Sequence, residues 1–241
     1  TCALPISSSL FAADKPLRLG IEAAYPPFAF KQADGSIAGF DVDIGVALCA
    51  EMKVECQWVE QEFDGLIPSL KVKKVDAVLS SLTITDERRK SVDFTGKYYY
   101  SPARLTMKEG TVVSDDFSSL SGKRIAVQRA TTTDRFASEV LAPKGVEVVR
   151  YSSQNEIFLD LTAGRLDAIV VDEIVGRYYV AKKPGEYRVL DENFGTEDYG
   201  VGMRKDDTAL KAQLDKVLED MHNDGTSKKI SEKWFGIDVT M

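Results

Sequence analysis

One arginine and two acids stand where a small polar ligand with charge at both ends can be held. Arg88 lies in Thr85-Asp86-Glu87-Arg88-Arg89-Lys90, soon after the polar stretch Ser80-Ser81-Leu82-Thr83. A guanidinium grips a carboxylate through paired hydrogen bonds. The same arginine also reads as one member of a solvated charge run at a helix start, and the residues alone leave both readings open. Asp172 follows four apolar residues and Glu22 follows Leu19-Gly20-Ile21. A carboxylate at a strand end meets either solvent at a turn or a cationic ligand. Brought into one cleft, the three charges match a zwitterion that carries an additional positive charge. Tyr25 and Phe63 are either core aromatics or walls flanking a cation and its aliphatic stem.

Other chemistry is sparse. His222 is the only histidine; on a late helix it reads as a surface residue or a partner of the helix dipole rather than a base. No Ser-His-Asp set is convincing, there is no P-loop, and Gly200-Val201-Gly202 is too short for a dinucleotide fingerprint. Cys49 and Cys56 flank a helix end and the following strand, a separation that one disulfide can span, with two buried thiols as the alternative. Their spacing is not that of a zinc site, so neither metal nor cofactor is expected.

The elements that must position these residues come in two copies. Leu70, Lys74, Val75, Asp76, Ala77 and Val78 recur 91 positions later as Leu161, Arg165, Leu166, Asp167, Ala168 and Ile169. Each copy reads as an amphipathic helix, a basic turn and a short apolar strand, half of a β-α-β unit. The strands end on Ser80 and Ser81 in one copy and on Asp172 in the other. Two further strands open on basic residues, Arg18 to Ile21 ending on Glu22 and Lys123 to Val127 ending on Gln128. Ligands of open α/β sheets bind at the carboxyl ends of strands, so the site is expected to draw on both halves. After the first strand, Tyr25-Pro26-Pro27-Phe28 forms a turn that cannot be helical, and Asp34-Gly35 marks a hairpin. After the second, Thr131 and Asp134 form a capping signature that opens a helix through Leu141, and a helix N-terminus favours anions. Leu210, Leu214, Val217, Leu218 and Met221 predict a late amphipathic helix, with a shorter one through Ile230 and Trp234.

The chain has 241 residues, 44% hydrophobic and 29% charged, enough for two cores of roughly 100 residues each. With 31 Lys+Arg against 38 Asp+Glu and no basic stripe, nucleic acid is not expected as a partner. No apolar run approaches the roughly 20 residues of a membrane span. Residues 1–13, with Leu4, Ile6, Leu10 and Phe11 before Ala12-Ala13, read as the remnant of a cleaved export signal that carries Cys2 with it, an expression scar being the alternative. Internal insertion then gives lobe 1 as 14–100 plus 197–241, lobe 2 as 104–192, and hinge segments at 101–103 and 193–196.

These residues resemble the periplasmic polar amino-acid-binding proteins of ABC importers, in the lysine/arginine/ornithine- and histidine-binding branch of solute-binding family 3. The resemblance covers Lys15 to Val239. It rests on Gly39-Phe40-Asp41-Val42-Asp43, Cys49 with Cys56, Phe63-Asp64-Gly65-Leu66-Ile67-Pro68-Ser69-Leu70, the segment Ser80 to Arg88, and Leu161 to Ala168. It implies a two-lobed α/β clam-shell, the type II periplasmic binding protein fold, in which each lobe is a mixed sheet flanked by helices and two crossings form the hinge. Arg88 resembles the arginine that holds the ligand carboxylate, with Thr132 beside it and Thr131 and Thr133 in the same ligand set. Asp172, Ser81 and Thr83 resemble the ammonium partners, and the backbone of Ser80 joins them. Tyr25 and Phe63 resemble the aromatic walls, and Glu22 the acid that meets the ligand's distal group. Relatives often carry Asp at the place of Glu22, Gly at Ala130 and Gln at Thr133, which leaves the zwitterion clamp intact and the side-chain preference open. The implied function is a monomeric periplasmic protein that closes on a basic L-amino acid and delivers it to an inner-membrane permease with its ATPase, without enzymatic activity. A periplasmic cyclohexadienyl dehydratase on the same fold is the alternative.

Overall fold

The computed structural model describes residues 15–191 and 194–240. The expected export remnant with Cys2, and Asn193 at the second expected crossing, lie outside the described residues. The first half runs β1 (Leu17–Ile21), β2 (Ala24–Tyr25), β3 (Ala29–Lys31), β4 (Ile37–Ala38), α1 (Phe40–Met52), β5 (Cys56–Glu60), α2 (Leu66–Lys71), β6 (Ala77–Val78) and α3 (Asp86–Arg89). A long strand, β7 (Asp93–Lys108), leads into the second half: β8 (Arg124–Gln128), α4 (Thr132–Phe136), β9 (Glu147–Tyr151), α5 (Gln154–Thr162), β10 (Ala168–Asp172), α6 (Glu173–Ala181) and β11 (Tyr187–Val189). The chain returns along β12 (Thr196–Met203) to α7 (Thr208–Asn223) and α8 (Thr226–Phe235).

The repeated frame does the same work in both halves. The Asp76 carboxylate accepts the Arg18 backbone N–H at 3.1 Å and pairs with its guanidinium at 2.7 Å, while the Asp76 N–H donates to the Arg18 carbonyl. Asp167 repeats this against Arg124, whose N–H it accepts at 2.8 Å, with Lys123 at 3.1 Å as the cation. Each aspartate thereby fixes the register of a parallel pair, β6 on β1 and β10 on β8. The preceding turns need a left-handed residue, filled by Lys73 (φ 60°) and Gly164 (φ 73°).

The sheets meet at β7. On one side the order is β5-β1-β6-β12-β7, and on the other β7-β10-β8-β9, with β11 also on β7. β7 pairs with β12 between Asp93 and Pro102 and with β10 between Ala103 and Met107. An aromatic stack seats this junction on the first half: Phe28 to Tyr99 at 4.9 Å and Tyr99 to Tyr199 at 4.3 Å. α7 and α8 pack against α1, and Leu105, Ile125, Val127, Leu141 and Val170 form a separate core in the second half. Gly39 (φ 137°) caps α1 where a Cβ would lie 2.1 Å from the Phe28 carbonyl oxygen, so only glycine fits. Cys49 at the end of α1 and Cys56 at the start of β5 form a disulfide, with Cα atoms 5.8 Å apart.

Both frame aspartates are held below the usual carboxylate range by hydrogen bonds and charge from their basic partners, against the opposing effect of burial. A depressed native value contributes stability that is present above the unfolded pKa, near 4, and is lost as pH falls through the native one. Asp76→Ala should lower stability by about 1–3 kcal/mol. Asp167→Ala should cost less, because the Asp167 side chain is 40% exposed against 23% for Asp76. Urea titrations at pH 7 and pH 3 check this: the difference from the parent protein should shrink at the lower pH.

Candidate functional site

Strand ends from both halves deliver the polar residues to one narrow cleft of about 30 Å³. Glu22 follows β1, Ser80 and Ser81 follow β6, Gln128 ends β8, and Asp172 ends β10. Tyr25 comes from β2, Phe63 from the loop after β5, Thr131, Thr132 and Thr133 from the start of α4, and Thr83 from a bridge to Tyr199 of β12. Ten of the eleven expected residues therefore line the cleft. Arg88 sits beside it, on the neighbouring groove that Thr131 and Thr132 share.

The half-buried Arg88 guanidinium bridges the halves. It donates to the Thr83 carbonyl at 2.8 Å and to the Ala130 carbonyl at 3.1 Å, and lies 5.5 Å from the Phe63 ring centre. That leaves three of its five N–H donors without a partner among the described residues. Ala130 holds φ at 63°, the left-handed region that glycine fills more easily, at a cost of about 1 kcal/mol. Ala130 thus takes a glycine-like backbone, and its carbonyl faces Arg88.

The hydroxyls divide into those that shape the cleft and those that face it. Thr131 caps α4 by accepting the Asp134 N–H at 3.1 Å, and its hydroxyl lies 2.8 Å from that of Thr133. The Ser80 hydroxyl accepts the Glu22 N–H at 2.9 Å. Ser81, at φ 47°, donates to the buried Asp41, which also accepts from Tyr98 at 2.8 Å. Thr83 and Thr132 both donate to one oxygen of Glu197, at 3.1 and 2.8 Å.

Three acids crowd this space without a cation from the chain. Among the described residues no Lys or Arg makes an ion pair with Glu22, Asp172 or Glu197. Glu22 is 4% exposed; burial pushes it up to about 8, against the pull of a hydrogen bond from the Gln128 amide at 2.7 Å. Asp172 is 3% exposed and raised to about 7, by burial and the charge of Glu197, although the Tyr199 and Tyr25 hydroxyls both donate to it. Burial lowers Arg88 to about 10. The arrangement suits a small ligand that presents a carboxylate at one end and cationic groups to the acids. Among the described residues no cluster of side chains suits a metal ion.

Gln128, Glu197 and Tyr199 were not among the expected site residues. Gln128 is the counterpart of Glu22 in the second half, since both close the first strand of their half, and that symmetry was the signal available. Glu197 and Tyr199 alternate along β12, so they share a face; in sequence they stand just past the expected hinge segment 193–196, with no signal of their own.

Residues 17–237 match the sequence profile of the bacterial extracellular solute-binding proteins, family 3. The chain belongs to that family. This family 3 protein is 52% identical to the L-arginine-binding protein of Pseudomonas aeruginosa, over 97% of the chain and 93% of the relative. It is 39% identical to the lysine/arginine/ornithine-binding periplasmic protein of Escherichia coli, over 97% and 92%. Among solved structures, an ancestral arginine-binding protein bound to arginine superposes with a TM-score of 0.88 at 37% identity, covering 93% of this chain and all of that one. An ancestral amino-acid-binding protein, a precursor of cyclohexadienyl dehydratase, gives 0.85 at 36% identity, covering 91% and 95%. The fold is the two-lobed type II periplasmic binding protein fold.

An acid whose native pKa is raised withdraws stability as pH climbs from its unfolded value, near 4, toward the native one. The ligand-free closed family 3 protein should therefore lose stability between about pH 4 and pH 8, and Glu22→Gln should flatten that loss. Melting temperatures at pH 5 and pH 8 test this; parallel slopes in parent and variant would mean that Glu22 titrates as a hydrated acid.

Proposed function

We propose that the protein captures a basic L-amino acid in the periplasm, closes its lobes around it, and presents it to an inner-membrane ABC permease with its ATPase. It acts as a monomer and without a cofactor. The observation that carries this reading is the charge balance of the cleft: three acids with no cation from the chain, and one arginine with spare donors. Arg88 takes the ligand carboxylate beside Thr132; Asp172, helped by Thr83 and Ser81, takes the α-ammonium; Glu22 takes the distal cation, with Tyr25 and Phe63 along the stem. A docked cation lets Glu22 and Asp172 ionise, so charges that are costly in the empty cleft become paired in the filled one.

The lobes are 14–100 plus 197–241 and 104–192, hinged at 101–103 and 193–196. The change of partner of β7 between Pro102 and Ala103 supports the first hinge, and rotation about such crossings is the usual route of closure. Prephenate carries carboxylates and no cation, so three unpaired acids disfavour it as a substrate, and purified protein should release no phenylpyruvate from it.

Arg88→Ala should abolish detectable binding of every amino acid in a calorimetric panel while the empty variant still melts cooperatively; retained micromolar binding would return Arg88 to an ordinary surface charge. Glu22→Gln should weaken arginine, ornithine and lysine by about a hundredfold and glutamine far less, since removing one partner of a buried ion pair costs at least about 3 kcal/mol. Equal weakening of charged and neutral ligands would mean that Glu22 only shapes the cleft.

A further inference from the structure

Glu197 adds a carboxylate to the end of the cleft where the ligand's own carboxylate is placed. One of its oxygens accepts from Thr83 of the first half and Thr132 of the second, and it lies 3.2 Å from the Tyr199 hydroxyl. Thr83 also gives its carbonyl to Arg88, and Thr132 shares the Arg88 groove. The negative charge of Glu197 in turn favours the protonated guanidinium. Tyr199 has one hydrogen for two acceptors, Asp172 and Glu197. Buried Asp172 and half-buried Glu197, joined by one hydroxyl and making no ion pair among the described residues, suit a primary ammonium, whose three N–H groups can reach both.

From this geometry, and resting on the basic-ligand reading above, we propose that the cleft also accepts decarboxylated basic amino acids. These are primary amines with a distal guanidinium or ammonium group and no carboxylate, and Glu197 takes the place of the missing anion beside Arg88. The amine then sits between Asp172 and Glu197, and the distal cation meets Glu22. Three acids against one arginine leave the cleft with two negative charges, which such a dication balances, whereas an amino acid of net charge +1 brings its carboxylate up against Glu197. Glu197 therefore narrows the advantage that the carboxylate would otherwise give.

The probe is agmatine, titrated calorimetrically beside L-arginine into the parent protein and into Glu197→Gln, an isosteric change that leaves an acceptor for Thr83 and Thr132. Agmatine should bind the parent protein and displace arginine from it. Glu197→Gln should shift the ratio of arginine to agmatine affinity by about tenfold or more toward arginine, because only the amine loses its substitute anion. The melting profile of the empty variant checks folding, and Glu197→Asp, which keeps the charge, should shift the ratio less. Arginine binding without agmatine binding overturns this inference and leaves the amino-acid reading standing, and so does agmatine binding with an unchanged ratio in Glu197→Gln. Failure of both ligands in folded parent protein overturns both.

Discussion

Strand β7 serves two sheets, and the site follows from that. Its 16 residues hydrogen-bond to β12 as far as Pro102 and to β10 from Ala103 onward. The carboxyl ends of strands from both halves therefore face a common seam, where Glu22 meets Gln128 and Tyr25 meets Asp172. Residues more than 100 positions apart become neighbours because one strand cannot leave either sheet.

At the seam, hydrogen bonds and charge work beside an apolar cluster that includes Phe28 and Tyr99 of the first half and Ile157 and Val171 of the second. Arg129 reaches Asp64 at 3.1 Å and Glu62 at 3.6 Å across the cleft mouth, but on half-exposed side chains, where such pairs are worth little. Deeper in, the groups are drier and the acids outnumber the cations. The fold supplies rigid carriers, two β-α-β frames each locked by an aspartate, and leaves an electrostatic deficit between them.

The frames were legible in the sequence because their signals are local: apolar spacing, a basic turn and an aspartate at fixed offsets. Glu22, Asp172 and the serines were legible for the same reason, since a polar residue ending an apolar strand is visible within six positions. Resemblance contributed most for Arg88, whose neighbours alone read equally well as a solvated run; its two carbonyl partners, Thr83 and Ala130, are 47 positions apart. Glu197 and Tyr199 had no such signature. Their meaning depends on which residues β12 passes, and that is decided by pairing with β6 and β7 far upstream. The resemblance singled out Ala130, and only the fold shows that its backbone is left-handed, where glycine fits more easily.

Asp41 gives the cleft a history. Its carboxylate, fully buried, holds Ser81 in a left-handed turn on one side and Tyr98 of β7 on the other. All three residues belong to the first half, ahead of the point where β7 changes partner. Swinging the second half away breaks none of these bonds, so the serine turn and the floor beneath it keep their shape in an open molecule. On the proposed reading, an arriving ligand meets a landing place already built on one jaw, and the other jaw adds Asp172 and Thr132 afterwards. Capture and retention are thereby separated between two parts of a single chain.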